Sequence, residues 1–169
     1  MTKLSAARIR EILNLEPHPI EGGYFVRTYA SSHQLPQNAL PPGYSGPRHV
    51  GTAIYYLLTP ETFSALHRLP GDEIFHFYQG DPVELLELRP DGTSTRILLG
   101  HDLAAGMRPQ HVVPAGVWQG SRLVSGGEYA LLGTTMAPGF DYADYETGSR
   151  DQLISGYPDE VDRIRALTR

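Results

Sequence analysis

Apolar positions recur at helical spacing near the N-terminus, then alternate with polar ones in short runs from residue 24 onward. Ser5–Leu15 predicts a helix: Ser5 can cap it, Ile9, Ile12 and Leu13 form a narrow stripe, and Pro17 and Pro19 end it. Tyr24–Tyr29, rich in aromatic and β-branched residues, reads as a strand. His33–Pro47 holds four of the fourteen prolines and is long for a plain connection, so a lid or subunit-contact loop is expected there.

Further strands are predicted over 50–58, 63–69, 73–79, 83–88, 94–99, 110–113, 121–124 and 128–136, separated by Pro/Gly/Asp turn signals. Pro90-Asp91-Gly92 between two such runs is a strong hairpin signal. Nine or ten short strands at this spacing imply an all-β sandwich or barrel. Val161, Ile164 and Leu167 predict a closing helix over Pro158–Leu167. No repeat or linker divides the chain, so residues 1–169 read as one domain.

Composition narrows the chemistry. Eighteen glycines and fourteen prolines suit strands and turns better than a helix bundle. A net charge of −5 makes nucleic acid and anionic membrane surfaces poor partners. The absence of cysteine excludes disulfides, thiolate nucleophiles and cysteine metal sites. Lys3 is the only lysine, which argues against a Schiff base, and no Walker motif occurs. The best apolar run is only Ala53–Leu58, and Arg8, Arg10 and Glu11 interrupt any leader core. A soluble, cytoplasmic protein is expected.

Of the seven histidines, His18 and His33 sit in Pro-rich loops and His101 follows a strand end, positions that suggest no chemistry. His67 and His76 bracket an acidic turn between two apolar strands, with Glu73 between them. An imidazole–carboxylate pair inside a small barrel can serve as a general acid/base or contribute to a metal site. Alternation places Ala65, His67 and Leu69 on one face, and Glu73, Phe75, Phe77 and Gln79 on one face of the next strand. If Glu73 points inward, His76 and Tyr78 point outward unless a bulge intervenes.

These residues resemble the two motifs of the cupin superfamily. His67, Glu73 and Gly80 fit the first, with Leu69 where a second His is usual. Pro114-Ala-Gly116-Val-Trp118-Gln119 fits the second, with Gln119 in place of its His. The usual three-His, one-Glu metal set is thus reduced to His67, Glu73 and a neutral amide, and Gln is a weak ligand for transition metals. No cofactor is expected beyond a weak or adventitious divalent metal, for which His67, Glu73 and Gln119 would be the ligands.

A closer resemblance spans Leu13 to about Leu167. Glu21-Gly-Gly-Tyr24, His67-Arg68, Asp72-Glu73, His76-Phe-Tyr78, Gly80-Asp81-Pro82, Val113-Pro-Ala-Gly116, Trp118-Gln119 and Ala137-Pro-Gly-Phe140 look like the cupin-5 family. The resemblance implies a double-stranded β-helix, the cupin jelly roll, with short N- and C-terminal helices, commonly homodimeric. Members have been likened to sugar-nucleotide epimerases and to small-molecule-binding cupins.

The candidate catalytic residues are therefore His67, Glu73 and His76. Candidate ligand contacts are Glu21 and Tyr24 at the barrel mouth, Arg27 and Arg68 as anion forks, Trp118 as a stacking wall, Gln119 as a hydrogen-bonding amide, and Tyr129 as a phenol acid. The acidic run Asp141–Glu146 reads as a solvated edge or subunit arm. Three functions fit: a metal-independent isomerase or epimerase acting on a small polar metabolite, sugar-like or anionic, with His67 as base; a binding or sensing module using the same pocket; and a metal-dependent cupin oxygenase or hydrolase.

Overall fold

The computed structural model describes residues 4–169, so Lys3 lies outside the described residues. In chain order the elements are α1 (Ala6–Leu13), β1 (Glu16–Pro17), β2 (Tyr24–Ala30), β3 (Gln34–Leu35), β4 (Arg48–His49), β5 (Thr52–Leu58), β6 (Phe63–Arg68) and β7 (Glu73–Gly80). There follow β8 (Val83–Leu88), β9 (Ser94–Leu99), β10 (Gln110–Val113), β11 (Trp118–Leu123), β12 (Ala130–Met136), β13 (Glu146–Thr147), α2 (Arg150–Gly156) and α3 (Val161–Ala166). Ser5 caps α1 through its Oγ, and Asn14 ends it in the left-handed region at φ 52°. In the Pro-Asp-Gly turn, Asp91 Oδ1 accepts from the Thr93 N–H at 2.9 Å while Gly92 takes φ 85°.

Two antiparallel sheets form the jelly roll expected from the resemblance. One runs β1-β2-β5-β12-β7-β10 and the other β13-β6-β11-β8-β9. Their inner faces enclose a core of Tyr56, Leu58, Phe75 and Phe77 against Val83, Leu85, Leu99 and Leu123. Outside the second sheet, α2 and α3 press Leu153, Ile164 and Leu167 onto Leu66, Leu86 and Leu88. Each such side chain contributes about 1.5–3 kcal/mol by leaving water. Outside the first sheet, α1 and its neighbours bury Ile9 and Leu15 against Leu57, Tyr129 and Leu131. No described helix is long and apolar enough to cross a membrane.

The sheets are also tied at depth by Glu87 of β8, which is fully buried. It accepts from His111 Nε2 of β10 at 2.6 Å and from Arg89 at 3.0 Å. Burial alone would raise the Glu87 carboxyl; the hydrogen bonds and charges of His111 and Arg89 outweigh it and hold the group below its ordinary value.

Four expectations change. The strand predicted at 121–124 begins at Trp118, so Trp118 and Gln119 lie on β11 and not in the turn before it. The helix α2 was not expected, because Arg150–Gly156 buries only Leu153 and has no apolar repeat to show. The closing helix begins as a 3₁₀ turn at Pro158–Glu160 and turns α-helical from Val161. The acidic run is a solvated edge only in part: Asp141, Tyr142, Ala143 and Glu146 are exposed, but Asp144 forms a bidentate ion pair with buried Arg48 at 2.7 and 2.5 Å, and the segment 138–147 straps across the barrel.

Candidate active site

A β-bulge sets the geometry. On β11, Gln119 lies opposite His67 and Ser121 opposite Ser64, so two steps of β11 span three of β6. The extra residue turns Ser64 and His67 to the same, inner face, which strict alternation forbids. Inward-facing side chains of the opposing strands complete the wall: Phe25 and Arg27 of β2, Thr52 and Ile54 of β5, Glu73 of β7, and Thr134 and Met136 of β12.

Together with His18, Glu21, His67, Leu69 and Phe140 these residues enclose a cavity. Its unfilled space is about 460 Å³ including the mouth. The mouth is narrowed by the strap. Phe140 N–H donates to Thr52 Oγ1 at 2.9 Å, and Tyr142 packs edge-on to Phe140 and beside the His18 ring.

His67 is the centre of the charge network. Its Nδ1 donates to the Ala65 carbonyl at 2.8 Å, which leaves Nε2 facing Glu73 Oε2 at 3.9 Å, too far for a direct hydrogen bond. Glu73 Oε2 accepts instead from Gln119 Nε2 at 2.8 Å. Burial pulls His67 down, but Glu21, Glu73 and the Ala65 carbonyl outweigh it and push its pKa up to about 9. The network therefore favours the charged imidazolium, which suits the ring to donate a proton where the sequence suggested a base.

Glu21 is delivered by a turn that only glycine permits. Gly22 and Gly23 sit at φ 110° and 70°, and a Cβ on Gly22 would run into the Phe63 carbonyl oxygen. Glu21 Oε1 accepts from Ser64 Oγ. His18 belongs to the same turn: its Nδ1 accepts from the Glu21 N–H at 2.9 Å, so the neutral ring carries its proton on Nε2, 3.9 Å from Glu21 Oε2. Burial, with His67 and Arg169, lowers His18 against the pull of Glu21 and Glu73, and the ring is neutral at pH 7. His18 was set aside at the sequence level; its place three residues before Glu21 in a Gly-Gly turn was the available signal.

The structure brings His67, Glu73, Gln119, Glu21 and Arg27 together at or beside the cavity. The other candidates lie elsewhere. His76 points out of the barrel, bonds Thr135 Oγ1 and stacks with Tyr78. Tyr24 faces α1, where Arg10 sits 3.7 Å over its ring. Trp118 is on the outer face of β11, since its neighbour Gln119 faces in; Arg68 lies 4.6 Å over the indole and pairs with Glu146. Tyr129 packs under α1. Phenols do stand beside the site: Tyr145, on the strap, against His67, and Tyr56 of β5, whose hydroxyl donates to the Gly22 carbonyl at 2.7 Å.

The cavity's donors do not fit the three-imidazole, one-carboxylate shell of the metal-holding pattern. Leu69 occupies one ligand position, and Gln119 turns its amide nitrogen, which has no lone pair to offer, toward Glu73. Among the described residues no group of three or more His, Asp or Glu side chains is arranged to hold a metal ion.

A family model, Cupin_5 of the cupin superfamily (DUF985), matches residues 7–148. The solved structure of protein SO0799 from Shewanella oneidensis superposes with a TM-score of 0.86 at 34% identity, covering 99% of both chains. The uncharacterised protein YML079W of Saccharomyces cerevisiae is 32% identical over 133 residues, which are 74% of this chain and 66% of that protein. A cupin 2 conserved barrel domain protein from Rhodopseudomonas palustris shares the fold alone, with a TM-score of 0.54 at 12% identity, covering 99% of this chain and 87% of that one.

Proposed function

The chain belongs to the cupin-5 family, and from that premise we propose that its barrel binds a small polar metabolite and moves a proton on it, in an isomerase- or epimerase-type reaction with no metal in the reacting step. The observation that carries this reading is one imidazolium, His67, flanked by two carboxylates, Glu21 and Glu73, inside an enclosed and partly apolar hollow. An acid and a base held side by side in a site that excludes bulk water are the equipment for abstracting a proton next to a carbonyl.

Roles follow from the hydrogen bonds. Glu73 has Oε2 engaged by Gln119, so Oε1 is the atom that takes the carbon-bound proton. As that C–H bond breaks, the carbonyl oxygen takes the proton of His67 Nε2 and an enol forms. Return of a proton to carbon, and of the enol proton to His67, restores both groups. Arg27 faces inward from β2 at the exposed rim and has no carboxylate partner among the described residues; it is suited to hold an anionic group of the ligand in a bidentate fork.

The test is solvent deuterium. The protein is incubated in heavy water with a panel of aldoses, ketoses and short 2-hydroxy and 2-oxo acids that shift its melting temperature. Incorporation at one carbon of a bound compound supports proton transfer. Ligands that bind without exchange would leave a binding or sensing module. A homodimer is part of the proposal. The family resemblance supports it, as does an apolar groove between α1 and the outer face of the first sheet, lined by Ile12, Tyr55, Tyr78 and Leu131.

A further inference from the structure

The hydrogen bond from His67 Nδ1 to Ala65 anchors one edge of the ring but leaves the ring able to tilt about that bond. Its face is covered by Tyr145, whose ring lies 4.7 Å away and nearly parallel, at 15°. The placement is built into the backbone: two residues on, Thr147 of β13 is the register partner of His67 on β6, and one residue back Asp144 is clamped by Arg48. We infer that Tyr145 is a positioning residue, which holds the His67 imidazole by ring stacking so that Nε2 stays directed at Glu73 and the cavity. The inference rests on the proton-transfer reading for its purpose, though not for its test.

Tyr145 does not itself line the cavity; it acts through His67. Its hydroxyl is buried and has no hydrogen-bond partner among the described protein groups. Ring and hydroxyl therefore make separate claims on the site. A phenol face against an imidazolium is a cation–π contact, and it favours the charged ring. The other groups facing His67 are Glu21 and His18 from the N-terminal turn, Glu73 from β7 and Gln119 from β11, none of them carried by the strap.

The experiment compares full-length, ¹⁵N-labelled wild type, Tyr145→Phe and Tyr145→Leu, each without added ligand or metal. It reads the ring-nitrogen signals and titration midpoint of His67, with melting temperature as the folding control. Stacking predicts that Tyr145→Phe keeps the wild-type midpoint and one sharp set of signals. Tyr145→Leu should lower the midpoint by about half a unit or more and broaden the signals as the ring gains freedom. A Leu variant indistinguishable from wild type, or a Phe variant displaced as far as Leu, overturns the inference. If Tyr145→Leu does not fold, Tyr145→Met, which still fills the space, takes its place under the same criteria. Because no ligand is present, a protein that never exchanges deuterium can still pass or fail this test.

Discussion

Gln119 of β11 donates from Nε2 to Glu73 Oε2 of β7 at 2.8 Å, joining the two sheets at the floor of the cavity. It stands where the resemblance places a metal-binding imidazole, and it uses that position to fix a carboxylate. Gln119→Ala leaves Glu73 buried without its donor. The expected cost is about 1.5–3 kcal/mol, read by urea denaturation at pH 7. An unchanged midpoint would show that the bond contributes nothing.

His67 makes stability depend on pH in a defined window. Its folded pKa, about 9, lies above the ordinary value of 6.5, so the folded state binds the proton more tightly. The resulting stability is fully present below pH 6.5 and disappears as pH rises through 9. It amounts to on the order of 3 kcal/mol for a shift of this size. Denaturation profiles at pH 6, 7.5 and 9.5 should fall in that order for wild type and be flatter for His67→Gln. Equal slopes would mean that another group titrates there.

Glu87 has the opposite sign. Its carboxyl is held below 4.5 by His111 and Arg89, so the stability it provides is present above that pH and is lost as pH falls through the depressed value. Glu87→Gln breaks a buried pair and should cost about 3–5 kcal/mol while leaving the cavity's ligand shifts intact. Loss of ligand binding at constant stability would place Glu87 in the site after all.

Arg27 is exposed and has no anion partner among the described residues, so Arg27→Met should leave stability within about 0.5 kcal/mol of wild type. Titrated with glycolate and with lactate by calorimetry, the variant should bind at least tenfold more weakly than wild type. Equal affinity would remove Arg27 from the ligand's anionic end.

Manganese, iron(II) or zinc added at equimolar concentration should move the melting temperature by less than about 1 °C. A site filled at a hundred times its Kd would instead stabilise the fold by about 2.7 kcal/mol. A stoichiometric, chelator-sensitive shift would restore the metal-dependent reading.

The legible and illegible parts of this site differ in kind. His67, Glu73 and Gln119 sit on strands whose spacing and turn residues can be matched, and the jelly roll follows from the same pattern. Alternation also separates Trp118 from Gln119, two neighbours that cannot both face inward once they share a strand. His18 and Tyr145 come from irregular chain, where no period signals direction. Tyr145 reaches His67 only because Arg48, ninety-six residues away from Asp144, pins the strap. The bulge in β6 is silent as well: nothing in Phe63-Ser-Ala-Leu-His67 announces that one residue goes uncounted.

That uncounted residue gives the protein a simple vulnerability. Paired residue for residue with β11, the same stretch would turn either Ser64 or His67 outward, toward the helices. Composition and motif would be identical, yet one of the two carboxylates, Glu21 or Glu73, would lose its partner to the wrong compartment.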